Sequence, residues 1–210
     1  AQLHLSPLSV QYKDFALWQR SYLTGEVLGR QLSYWKNKLE GYKTLALPTD
    51  YVRPIEIDYK GKNLYFQIER GLSSSLRDIA KGIGVSLYSL LLASYYLMLR
   101  AYTEQNDIVI GTPVANRHST QIQPLIGFFV NTLALRVNID PASKIIDFIK
   151  NVGHDIIEAQ LYQDLPFERL VAELKIPKDI SRHPIFQIMF GVQRFGTREV
   201  NKKNRAERYI

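Results

Sequence analysis

The run from Ile126 to Arg136, IGFFVNTLALR, constrains this chain more than any other stretch. It opens with Gly127 beside two phenylalanines, Phe128 and Phe129, and then alternates. From Asn131 onward, Leu133, Leu135, Val137 and Ile139 fall on one side, while Thr132, Arg136 and Asn138 fall on the other. A period of two is the mark of a half-buried strand. Asn131 breaks the pattern by sharing the aliphatic side. An amide buried there without partners costs roughly 1–3 kcal/mol. It therefore needs hydrogen bonds, which neighbouring backbone or a ligand can supply.

The remaining periodicities predict an α/β chain built from helices around a sheet. Ser9 is placed to cap a helix through Tyr12, Phe15 and Trp18, and Thr24-Gly25 marks the break before a second helix through Leu28, Leu32, Trp35 and Leu39, stopped at Gly41. Pro48 and Pro54 sit in a long stretch without period, read as an irregular surface crossing. Asn63 to Glu69 alternates cleanly and predicts a strand with Leu64, Phe66 and Ile68 inward. A helix with Leu76, Ile79 and Ala80 on one side is expected from Ser73 or Ser74 to Gly82-Ile83-Gly84. Ser86 then caps a helix that is apolar on almost every face.

Asp107 to Ala115 reads as a buried strand, since Ile108-Val109-Ile110 is apolar on both faces. After the central strand, Pro141 and Ser143 open a helix with Ile145, Ile149, Val152 and Ile156 on one stripe and His154 facing solvent. Gln163 to Glu168 begins a short helix with Pro166 near its first position and Asp164 and Glu168 as capping carboxylates. Pro184 admits a last strand, Ile185 to Val192.

With 210 residues, 46% of them hydrophobic, the chain can bury a real core. It contains no cysteine, which excludes disulfides, thiolate metal sites and a cysteine nucleophile. No charged-then-apolar leader is visible, and the longest apolar run, Leu87 to Leu99, is short for a membrane span and broken by Ser89 and Ser94. A soluble, cytoplasmic protein is expected, with no membrane partner. The net charge of +7 suggests nucleic acid until its distribution is considered. Residues 194–210 carry +4 of it. They read as a basic linker or terminal tail following a domain at residues 1–193, and no basic face interleaved with aromatics supports nucleic-acid binding.

Self-sufficient catalytic arrangements are missing. His4, His118, His154 and His183 lie at no metal-ligand spacing, and the sequence contains no HExxH, GxSxG, GxxxxGK[ST] or GxGxxG. No metal and no catalytic residue is therefore assigned.

Four ordered stretches do resemble a known family. Tyr12-Lys13-Asp14-Phe15-Ala16-Leu17-Trp18 is similar to YxDFAxW, and Ile126 to Arg136 to IGxFVNTLALR. Gln163 to Glu168 resembles QDxPFE, and Ser181 to Phe190 resembles SRxPxFQxMF. Gly111 to Arg117 resembles the segment preceding the second of these. Together they resemble the later motifs of nonribosomal peptide synthetase condensation domains, over roughly residues 5 to 195. Those domains also carry HHxxxDG in their amino-terminal half, and no His-His pair exists here. Tyr162 is a smaller departure, standing where the family more often has His or Asn.

The resemblance implies a mixed β-sheet flanked by helices, one lobe of the chloramphenicol-acetyltransferase-like, CoA-dependent acyltransferase fold. It further implies the carboxy-terminal, acceptor-side half of a condensation domain, inactive without the HHxxxDG half. Its implied partners are that amino-terminal subdomain, the donor and acceptor peptidyl carrier proteins, and an adjacent adenylation domain. No cofactor is bound directly, because the phosphopantetheine arms of the carriers are tethered substrates. Asn131 and Thr132 are expected to face the tunnel that receives those arms, with Trp18 and Tyr12 lining the acceptor side. Gly127, Phe129, Arg136, Asp164, Pro166 and Arg182 are read as structural motif positions, Arg182 as an ion-pair partner holding the final strand. The rival readings are half of an epimerisation or cyclisation domain, and a non-catalytic docking module of the same fold.

Overall fold

Helix α1, Tyr12–Tyr22, buries Phe15, and α2, Gly25–Leu39, buries Gln31, Trp35 and Leu39. The computed structural model of the chain describes residues 7–177 and 179–193. The basic tail assigned to 194–210 lies outside them. The first helix starts later than its expected cap, with Gln11 rather than Ser9 at the N-cap, because Asp14 Oδ2 accepts the Gln11 N–H at 2.8 Å. Trp35 anchors α2 to the core, its Nε1 donating to Tyr162 O at 2.8 Å. Tyr162 in turn stacks on Tyr34, with centroids 4.0 Å apart and planes at 5°. The departure at Tyr162 thus becomes an aromatic contact that fastens α2 to the end of α5, Ile145–Leu161.

Helix α3, Arg70–Ile83, begins earlier than expected and ends where Gly84 turns left-handed at φ +74°. Ser86 then caps α4, Leu87–Thr103, its Oγ accepting the Ser89 N–H at 3.0 Å. This helix buries Leu90, Leu92, Ala93, Tyr96 and Leu99. Tyr96 is fully buried, and its hydroxyl donates to Leu135 O at 2.7 Å. Burial pushes its ionisation well above the ordinary tyrosine range.

The sheet is built on β1, Asp107–Val114, and β2, Asn131–Asn138, paired antiparallel with Ile110 opposite Leu135 and Val114 opposite Asn131. A third segment joins β1 in parallel. Gly111 N–H donates to Ile188 O and Phe190 N–H to Gly111 O, both at 2.9 Å. The sheet is therefore mixed, as expected, but the anticipated strand from Ile185 to Val192 contracts to one bridge at Met189. Ile185 leaves extended backbone at φ +69°, and Phe186 turns under Gly111 instead. Helices α4 and α5 pack on each other, α5 packs on β2, and α6, Phe167–Glu173, bridges α2 and β2. Val152, Ile156 and Ala159 carry the buried stripe of α5, whereas Ile145 is half-exposed.

One expected strand is absent. Residues 63–69 form no ladder, and Leu64 and Tyr65, meant to face opposite sides, are 88% and 86% exposed. Alternation fits a segment to a pleated surface, but the hydrogen bonds must come from a neighbouring strand. None of the described residues supplies one.

Arg136 ties the sheet to α2. Its Nε and Nη2 donate to Asp107 Oδ1 and Oδ2 at 2.7 and 2.8 Å, and its Nη1 reaches Lys38 O at 3.1 Å and Glu40 O at 2.6 Å. The hydrogen bonds it donates to Asp107 raise its pKa above the ordinary value. Lysine keeps the charge but lacks the planar fork that spans these acceptors. Arg136→Lys should therefore lose about 2 kcal/mol of stability, a lower figure than for a fully buried pair because both side chains retain some solvent. An unchanged urea midpoint would show that the fork carries nothing.

Candidate functional site

The motif stretches converge on the start of β2. Asn131 is 8% exposed and all of its amide is used. Its Nδ2 donates to Gln163 O and Leu165 O, each at 2.8 Å. Its Oδ1 accepts the Thr132 N–H at 2.8 Å and the Phe167 N–H at 3.1 Å. Asn131 thus clamps the QDLPFE loop to the IGFFVNT segment. This corrects the expectation that its amide faces a tunnel to bond an incoming arm, since backbone has taken both donors and both acceptor positions. Thr132 is half-buried beside it and opposite Pro113. Pro166 sits at the N-cap of α6, and Asp164, two residues earlier, caps nothing.

Tyr12 packs onto the same segment. Its ring covers Gly127 so closely that a Cβ there would lie 2.2 Å from it, and its hydroxyl donates to Phe128 O at 2.9 Å. Phe15 and Phe129 lie 4.7 Å apart in a small buried cluster with Leu125. Arg117 closes the cluster. Its guanidinium stands 4.0 Å above the Phe129 ring, and its Nη1 donates to Ile122 O at 2.6 Å and Leu125 O at 2.9 Å.

Buried and exposed residues then alternate through the motif. Leu125, Phe129 and Asn131 point in, while Ile126 is 95% and Phe128 76% exposed, with Val130 half-exposed. Large apolar side chains therefore stand outward from a rigid backing. Arg182 is paired with Asp179 at 3.0 Å as a charge contact whose angle falls short of a hydrogen bond, so it braces its own turn and not the last strand. The Asp179 carboxyl is held below the ordinary range chiefly by its hydrogen bonds from Ser181.

Two clefts flank this wall. One, of about 430 Å³, is lined by Phe15, Trp18, Tyr22 and Ile122 together with Asp14, Asn116, His118 and Asp164. Trp18 is 49% exposed there. The second, of about 420 Å³, lies over β1 and includes Thr112, Val130 and Leu133. Tyr88 lines it too, hydrogen-bonded to Thr112 Oγ1 at 2.6 Å, with its ionisation pushed up by burial.

Sequence reasoning missed the pairing of His118 with Asp164. His118 Nε2 lies 2.8 Å from Asn116 Oδ1 and 3.4 Å from Asp164 Oδ1. The left-handed turn at Asn116, φ +50°, brings the imidazole round, and no local spacing announces a contact across that much chain.

A mixed sheet under packed helices, with the motif strand walling the cleft over β1, defines one lobe of the chloramphenicol-acetyltransferase-like fold. The chain belongs to the Condensation domain family, whose profile matches residues 1–209. N-(5-amino-5-carboxypentanoyl)-L-cysteinyl-D-valine synthase of Amycolatopsis lactamdurans is 46% identical over 189 residues, 90% of this chain and 5% of that protein. Among solved structures, holo-AB3403, a four-domain nonribosomal peptide synthetase bound to AMP and glycine, matches with TM-score 0.80 and 30% identity, over 84% of this chain and 14% of that one. The X-domain from teicoplanin biosynthesis, solved in complex with OxyB, matches with TM-score 0.82 and 26% identity, over 89% of this chain and 42% of that one.

Proposed function

We propose that this chain is the carboxy-terminal, acceptor-side subdomain of a condensation domain and contributes to amide formation between two carrier-bound thioesters. The observation that carries this reading is the outward row of Ile126, Phe128 and Val130 on a backing sealed by Asn131. Apolar residues of this size, standing outward with Val130 at the edge of the cleft over β1, suit the wall of a channel completed by a second lobe. Donor and acceptor carriers present their phosphopantetheine arms to that channel, and the adenylation domain loads the acceptor.

In the reaction the acceptor amine attacks the donor thioester carbonyl. A C–N bond forms, the C–S bond breaks, and the thiolate leaves as the amine gives up a proton. Orientation of two tethered reactants can lower the barrier by roughly 7–11 kcal/mol. The imidazole that assists belongs to HHxxxDG on the other lobe, so the chain alone forms no amide.

A fusion of this chain to an HHxxxDG-bearing lobe, given two loaded carriers, should release an amide product detectable by intact-protein mass spectrometry. The chain alone should yield none. A folded fusion that makes no product with any matched carriers would remove the enzymatic reading. It would favour the second one, a docking module, which is supported by the likeness to an X-domain captured with OxyB.

A further inference from the structure

Residues 63–69 alternate like a strand and pair with none of the described residues, yet they carry large apolar side chains in the open. Phe66 is 80% exposed, Leu64 and Tyr65 more so, and Ile68 is half-exposed. Helix α3 starts at the residue after Glu69, and on it Leu72 and Ile79 are exposed as well. An unpaired apolar edge of this kind is a template for another chain.

The order of residues in the segment selects which chain. Leu64 and Ile68 stand symmetrically about Phe66. When two copies run antiparallel with Phe66 opposite Phe66, Leu64 of each falls opposite Ile68 of the other, Tyr65 opposite Gln67 and Asn63 opposite Glu69. Every Leu64, Phe66 and Ile68 side chain then lies on one face. A slip of one residue mixes the two faces, and a slip of two sets Lys62 against Ile68 or Arg70 against Leu64. No like charges meet until Lys62 faces Arg70, where α3 begins. The backbone agrees with this register. Glu69 O already accepts the Ser73 N–H at 2.9 Å as a first bond of α3. In an antiparallel pair only alternate residues exchange N–H···O bonds, so a ladder through Leu64, Phe66 and Ile68 makes no call on Glu69.

We propose that residues 63–69 pair with the same segment of a second copy of this chain, antiparallel about Phe66, with Leu72 and Ile79 of α3 backing the apolar face. A two-stranded ribbon needs such a backing to persist in water. With on the order of 150 Å² for each large side chain, two copies cover roughly 1,000 Å², the lower bound of a specific interface. The dimer is therefore reversible, and it does not depend on the function given above.

Sedimentation equilibrium of the full chain should show a monomer at about 1 μM and a dimer at about 100 μM. Phe66→Lys sets two ammonium groups against each other at the symmetry axis and should weaken the dimer at least tenfold. The melting temperature of the diluted protein should not change, because Phe66 is exposed. The chain has no cysteine, so Phe66→Cys introduces its only thiol. Opposed Cα atoms about 5.5 Å apart suit a disulfide. Mild oxidation should therefore link two copies at least tenfold faster than in Gln67→Cys, whose thiol faces position 65 of the other copy. Amide exchange should slow on dimerisation at Leu64, Phe66 and Ile68 and stay unchanged at Tyr65 and Gln67; should Phe66→Lys not fold, this pattern in the parent chain decides. Open-ended association, an undiminished dimer in folded Phe66→Lys, or linkage at 67 as fast as at 66 would overturn the proposal. So would a monomer at every concentration, which would leave the segment to a different partner.

Discussion

Replacing Asn131 by alanine should cost about 3–5 kcal/mol of folding stability, more than any other single truncation near the motif. The substitution removes little apolar area. What it removes is the shared partner of two carbonyls, Gln163 O and Leu165 O, and two amides, Thr132 N and Phe167 N. In a segment that excludes water, each orphaned group carries a desolvation penalty of roughly 1–3 kcal/mol, partly relieved where the loop can open. Asn131→Asp tests the same clamp from the other side. It keeps the shape and both acceptors but sets a carboxylate against two carbonyl oxygens, so it should be no better tolerated than alanine. Urea denaturation measures the loss, and hydrogen exchange should show the Phe167 and Thr132 amides losing protection first. A midpoint within 1 kcal/mol of the parent protein would mean the clamp is dispensable.

The same clamp explains what the sequence could and could not reveal. Its strand was legible because Leu133, Leu135 and Val137 repeat at the period of a pleated sheet, and α4 because Ser86 caps a run that is apolar on almost every face. The oddity of Asn131 was legible too, as a polar residue on an aliphatic face. Its solution was not, because the partners lie in a loop more than thirty residues away, |i−j| 32 to 36. Strand pairing fails for the same reason at residues 63–69. Their alternation suits a pleated strand, but pairing is a property of two segments, and no described residue pairs with them. At the candidate site, the helix carrying Trp18 was legible from its spacing, whereas the meeting of His118, Asp164 and Gln31 depends on the tertiary fold alone.

Gly111→Ala should be nearly as damaging as the loss of Asn131, and for the opposite reason, because it adds matter where none fits. A Cβ at Gly111 would lie 2.3 Å from the Phe186 ring. Neither party can give way. Phe186 is fully buried, stacked on His183 at 4.6 Å and tilted against Phe167 at 5.3 Å. Gly111 cannot retreat either, since its N–H and C=O both form the parallel bridge to the last segment. Overpacking of this kind costs about 3 kcal/mol, at the upper end of the usual range. Gly127→Ala offers the contrast, because there the obstructing ring belongs to Tyr12, which is partly exposed and free to swing outward. Its cost should be about 1–2 kcal/mol. The decisive measurement is a double-mutant cycle with Phe186→Leu, which opens room beneath Gly111. The two changes together should be about 1–2 kcal/mol less harmful than their sum, since each relieves the other. Strict additivity would mean that the glycine is needed for the backbone of β1 and not for the ring that packs against it.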